Sequence, residues 1–95
     1  MEIDTRWRPF TGDPATPRAE LPDSAFAFPA ERAEPLTDAK HVRGAMARFR
    51  QVRHVTDAER DAAFDNIKIA ARYYGVNITE RSWRDIGAEN GRRDS

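Results

Sequence analysis

The chain has 95 residues, and its sixteen basic and sixteen acidic side chains cancel to a formal charge of zero. At 39% hydrophobic and 34% charged residues it is polar for a single globular domain, yet too apolar and too balanced to be disordered throughout. The absence of cysteine excludes a disulfide framework, a thiol nucleophile and cysteine-bound zinc; no apolar run reaches the roughly 18 residues of a membrane span; and Met1-Glu2-Ile3-Asp4 lacks the layout of a signal peptide, so a soluble cytoplasmic protein is expected.

The first third reads as an arm. All six prolines, at positions 9, 14, 17, 22, 29 and 35, fall within it. No helix of ordinary length fits between them, because proline lacks a backbone donor and clashes with the preceding turn. Residues 1–36 carry four basic and seven acidic side chains, and residues 37–95 carry twelve and nine. An acidic arm therefore precedes a mildly basic remainder. The arm also holds Trp7, Phe10, Leu21, Phe26 and Phe28. If residues 24–28 are extended, Phe26 and Phe28 share a side. The stretch 11–20 has the composition of a linker.

The spacing predicts a first helix over about residues 38–51. Thr37 is the expected N-cap, and Val42, Ala45, Met46, Phe49 and Val52 form one apolar stripe. Gly44 weakens the helix and permits close packing there.

A second helix starts at Thr56-Asp57-Ala58-Glu59, the pattern of a capping box. It runs to Tyr74 and stops at Gly75 in the left-handed conformation. Its main stripe is Ala63, Phe64, Ile67, Ala70, Ala71 and Tyr74. A second apolar set, Ala62, Ile69 and Tyr73 with Asn66 among them, lies roughly opposite. Either the arm or another chain should cover that second side.

Thr79 is the expected cap of a third helix near residues 80–87, carrying Trp83 and Ile86. The fold class predicted is mainly α: a small three-helix unit with an extended proline-rich N-terminal arm packed on it. Residues 1–20 read as a flexible segment, 21–87 as one small helical domain and 88–95 as a flexible tail. A bundle of this size has a marginal core, and Phe26 and Phe28 packed on helices one and two would enlarge it.

Nothing local supports catalysis. His41 and His54 are not at metal-binding spacing, and no phosphate loop or nucleophile elbow is present. Asp57, Glu59 and Asp61 open a helix, where capping and the helix dipole explain them. No catalytic, cofactor-binding or metal-binding residue is assigned, and no cofactor or small-molecule substrate is inferred.

Two surfaces remain. Ile69 and Tyr73, or Trp7 and Phe10 on the arm, form the candidate partner-binding set. Lys40, Arg43, Arg48, Arg50 and Arg53 occupy a stretch without an acid and form an alternative, phosphate-binding face. A helix-turn-helix reading matches only in part: the first turn of helix two is acidic and phosphates would repel it, and with helix three as the recognition helix Ala71 and Gly75 are suitably spaced but Arg81 and Arg84 fall where apolar packing is needed.

Residues 21–29 (Leu-Pro-Asp-Ser-Ala-Phe-Ala-Phe-Pro) resemble part of a small domain family of unknown function, associated with actinobacteria and bacteriophage-related proteins. Pro35-Leu36-Thr37-Asp38-Ala39, His41-Val42-Arg43, Ala45, Ala47-Arg48-Phe49 and Gln51-Val52 continue the likeness, and Asp57-Ala58-Glu59-Arg60, Ala70-Ala71, Tyr74-Gly75-Val76 and Trp83 extend it. The resemblance covers about residues 21–86. It implies that arm and helices form one unit, with His41 and Arg43 either pinning the arm through its carbonyls, the favoured reading, or facing a partner, and it brings no reaction. Similar segments are appended to larger phage head or protease-like proteins, which suits an accessory module. The function expected is a noncatalytic helical docking module whose partner is a protein or a second copy. The alternative is a nucleic-acid-associated protein using the basic face of helix one.

Overall fold

The computed structural model describes residues 6–86. The expected tail, residues 88–95, lies outside the described residues.

The helix with the clearest sequence signals is where they put it. α2 spans Asp57–Tyr74. The Thr56 amide donates to Glu59 Oε1 at 2.8 Å, and the Glu59 amide donates back to Thr56 Oγ1 at 3.1 Å. Two donors that a helix start would leave orphaned are thereby satisfied. At the other end Gly75 has φ +75°, and Val76 donates to the Ala71 carbonyl at 2.8 Å, which turns the chain sharply without a Cβ clash.

α1 spans Ala39–Arg48, and its last predicted turn is a separate 3-10 turn, Phe49–Gln51. Its cap is Asp38 rather than Thr37. Asp38 is extended, and its Oδ1 accepts from the His41 amide at 2.7 Å.

The three-helix expectation is overturned. The described residues fold as two α-helices with a small antiparallel two-stranded sheet. Where a third helix was expected there is a single 3-10 turn, Trp83–Asp85. Only Trp83 and Ile86 are apolar there, and one short stripe does not offset helix nucleation. Side-chain anchors hold the turn instead. The Trp83 indole stacks on Phe49 with centroids 6.1 Å apart and donates to Asp61 Oδ1 at 2.8 Å. Arg50 donates to the carbonyls of Ile86 (2.7 Å) and Arg84 (2.9 Å).

The sheet is made by the arm. β1 (Phe26–Phe28) pairs with β2 (Ala33–Pro35), with Phe26 opposite Pro35 and Phe28 opposite Ala33. Arg32 and Glu34 both have positive φ, 52° and 59°. Non-glycine residues hold that conformation only when their surroundings over-determine it. At Arg32 the surroundings do so: Nη1 donates to Asp23 Oδ1 at 2.6 Å, and Nη2 donates to the Leu21 carbonyl at 2.8 Å. The guanidinium also lies 4.6 Å from the Phe26 ring centroid. One arginine thus sews the hairpin to the proline-rich stretch before it.

The core forms between the hairpin and the two helices. Phe28, Phe49 and Phe64 make a continuous aromatic path, with successive centroids 5.3 and 6.2 Å apart. Phe26 is also buried, but not against helices one and two as expected. It packs with Leu21, Ala25 and Phe10 in a separate small cluster. The arm therefore builds a second core of its own.

Trp7 belongs to the main core at 3% exposure. Its amide donates to Asn66 Oδ1 at 2.7 Å, and its indole Nε1 donates to the Leu36 carbonyl at 3.1 Å. Asn66, buried in mid-α2, also donates from Nδ2 to the Ala27 carbonyl at 3.0 Å. Both contacts are to backbone of the arm. Asn66 is thus the polar pin that lays the arm across the second side of α2, and the structured unit starts upstream of residue 21.

Candidate functional site

Three of the four residues expected to meet a partner come together. Trp7, Ile69 and Tyr73 line one shallow hollow of about 300 Å³, with Pro9 and Arg72. α2 supplies Ile69, Arg72 and Tyr73, while the arm supplies Trp7 and Pro9. Tyr73 is 58% exposed. Its ring meets Trp7 edge-on at 5.7 Å and Tyr74 at 4.9 Å. Trp7 itself is buried, so it serves as the floor of the hollow rather than as a free contact. Burial, followed by the neighbouring Tyr73 and Asp38, pushes the Tyr74 hydroxyl above its ordinary value.

Phe10 lies elsewhere. It is half-buried beside Leu21 and faces a groove of about 690 Å³ between the arm and α1. Four of its charged or ionisable residues engage one another in pairs, and Arg18 donates to the Arg32 carbonyl at 2.8 Å. Arg48 binds Glu34 through Nε and Nη2, both at 3.2 Å from Oε1. A Cβ on Gly44 would stand 2.6 Å from Arg48 Nη2, so the glycine leaves room for Arg48 to lie back against the helix. Asp38 Oδ1 holds the His41 ring through Nδ1 at 2.7 Å. His41 therefore turns to its own helix cap, not to the arm carbonyls expected of it.

Burial acts to raise the Asp38 carboxyl. The hydrogen bonds from the His41 amide and ring, with the charges of His41 and Lys40, outweigh it and hold Asp38 below its ordinary value of 3.8. Asp38 therefore stabilises the fold fully above that value, and the contribution is lost as pH falls through the lowered folded pKa. In an acid titration followed by circular dichroism, Asp38→Asn is expected to flatten this limb below about pH 4. An acid limb unchanged in the variant would refute that role.

A second carboxyl pair joins the hairpin to the start of α2. Burial, then a hydrogen bond and charge from Glu59, raise Glu31 above the ordinary carboxylate range. The Thr56 amide, followed by Glu31, lowers Glu59.

The basic set does not form one free surface. Arg48 is paired with Glu34, and Arg50 is committed to two backbone carbonyls. Lys40, Arg43 and Arg53 remain exposed. Among the described residues no three His, Asp or Glu side chains converge to hold a metal ion, and no helix is long and apolar enough to cross a membrane.

Sequence reasoning missed Pro9 and Arg72 as lining residues and Asn66 and Arg32 as organisers. Asn66 did carry a signal: a lone amide inside an apolar set on a helix needs buried polar partners. Arg32 carried none, because its contacts depend on a positive φ at a residue type that seldom adopts it.

A family model described as Family of unknown function (DUF6582) matches residues 7–81. The matched stretch opens on Trp7, the first core residue of the described chain. Comparison with curated proteins and with solved structures finds no match.

Proposed function

The chain belongs to the DUF6582 family of unknown function, and from its own geometry we infer that it is a noncatalytic protein-interaction module whose contact face is the Ile69–Tyr73 patch. One observation carries the reading: Tyr73 is the large hydrophobic side chain left exposed among the described residues, at 58%. It stands beside half-buried Ile69, over a floor built from Trp7 and Pro9. An aromatic with an apolar body and a polar tip, held by a rigid helix and a packed tryptophan, is the residue type that anchors interfaces.

Two further points support the reading. In the larger groove Glu34 pairs with Arg48 and Asp38 with His41, and Arg18 is committed to the Arg32 carbonyl, so these groups do not converge on an open point. The likeness of residues 21–29 to segments appended to phage head or protease-like proteins also suits an accessory role within a larger assembly.

The test places the photo-crosslinking amino acid benzoylphenylalanine at position 73 of the full chain, in cells that make it. A discrete protein adduct is expected, and Ile69→Asp should abolish it while circular dichroism shows the fold intact. No adduct at position 73, or one that survives Ile69→Asp, would overturn the reading.

A further inference from the structure

The exposed side of α2 has a pattern that identifies its occupant. At 100° per residue, Ala58, Ala62, Asp65, Ile69, Arg72 and Tyr73 fall within an arc of about 100°. Ala58, Asp65, Arg72 and Tyr73 are exposed, and Ala62 and Ile69 are half-buried. The stripe is graded along its length, with small residues in the N-terminal half and large apolar ones in the C-terminal half. One flank is graded in charge as well, with Asp65 standing seven residues before Arg72. Asp65 is engaged only loosely, by Lys68 at 3.6 Å, and its side chain is 69% exposed. Arg72 makes no ion pair among the described residues.

We propose that the occupant is a second copy of this chain, packed antiparallel through α2 about a two-fold axis near Lys68. This rests on the reading of the Ile69–Tyr73 patch as a docking face. An antiparallel copy reverses both gradients. Tyr73 of one copy then lies over Ala62 and Asp65 of the other, so large meets small. A two-fold axis across the helices keeps like flanks together, so Arg72 of each copy meets Asp65 of its partner. A parallel pair about an axis along the helices would instead place the charged flanks of the two copies on opposite edges of the seam, so Arg72 and Asp65 would not meet. Within one helix the two residues are two turns apart, about 10.5 Å along the axis, too far to pair with each other. The charge match is therefore available only between copies. The stripe is about 22 Å long and contributes less than the roughly 800 Å² per partner of a standard interface, so the dimer dissociates readily on dilution.

The experiment is sedimentation equilibrium of the full chain from low micromolar to near-millimolar concentration. The wild-type mass should rise from 10.8 kDa towards twice that value. Arg72→Asp should raise the dissociation constant by about tenfold or more, and Asp65→Arg combined with Arg72→Asp should restore it. Both sites are surface positions, and thermal melts confirm that each variant is folded. A wild type that stays monomeric throughout, or a double variant no tighter than Arg72→Asp alone, overturns the dimer. The crosslinking test separates this failure from that of the docking reading. An adduct of position 73 with a different protein, alongside a monomeric wild type, removes the dimer and keeps the docking face. No adduct at all removes both.

Discussion

Trp7→Ala is expected to destabilise the protein by about 3–5 kcal/mol, the range for truncating a buried tryptophan. The indole is 3% exposed and lies in the main core. Its removal opens a cavity against Tyr73 and Tyr74, which meet it at 5.7 and 5.8 Å. It also leaves the buried Leu36 carbonyl without the indole donor that reaches it at 3.1 Å, a loss of about 1–3 kcal/mol that forms part of the total. A domain of this size has only about 5–10 kcal/mol to lose, so the variant should be partly unfolded at physiological temperature. Urea denaturation followed by circular dichroism gives the answer. A midpoint that does not move would mean that residue 7 belongs to a loose tail. Tyr73 should also lose its fixed orientation in the variant, so the docking face and the core fail together.

Asn66→Leu is expected to cost about 2–4 kcal/mol, although leucine is the better helix former and suits the apolar surroundings. Two buried backbone groups, the Trp7 amide and the Ala27 carbonyl, lose their partner. Each such loss costs about 1–3 kcal/mol, and water reaching the loosened arm offsets part of it. Asn66→Asp separates the two contacts. It keeps an acceptor for the Trp7 amide but sets a buried carboxylate oxygen against the Ala27 carbonyl, so it should be at least as destabilising as Asn66→Leu at neutral pH and recover in part on acidification, when the protonated carboxyl can donate to Ala27. A variant Asn66→Leu as stable as wild type would show that the arm needs no polar pin.

The parts of the fold legible in the sequence were those built from local contacts. Thr56 and Glu59 are three residues apart, and Gly75 follows the last helical residue, so α2 announces both its ends. The apolar stripe of α1 is equally local, and only the choice between neighbouring caps, Thr37 and Asp38, went to the other residue. The hairpin was hidden because positive φ falls on Arg32 in its turn and on Glu34 within β2, rather than on glycine or asparagine. The third helix was over-read from Trp83 and Ile86, whose spacing fits a helix but whose burial is achieved by one turn anchored sideways on Phe49 and Asp61. The place of Trp7 depends on bonds to residues 29 and 59 positions away, which no periodicity reports. The second apolar set on α2 did indicate that something covers that side of the helix. Trp7 and the arm cover the Asn66 end of it, and Ile69 and Tyr73 are the part left open.

The central claim is that the arm is a component of the core and that the docking face is built on it. Hydrogen exchange at Trp7, followed by NMR, tests this most directly. The Trp7 amide and its indole Nε1–H are expected to exchange as slowly as the amides of Ala70 and Ala71 in the C-terminal half of α2, through global unfolding. Exchange of both Trp7 protons at the rates of an unstructured peptide, with Ala70 and Ala71 still protected, would contradict it.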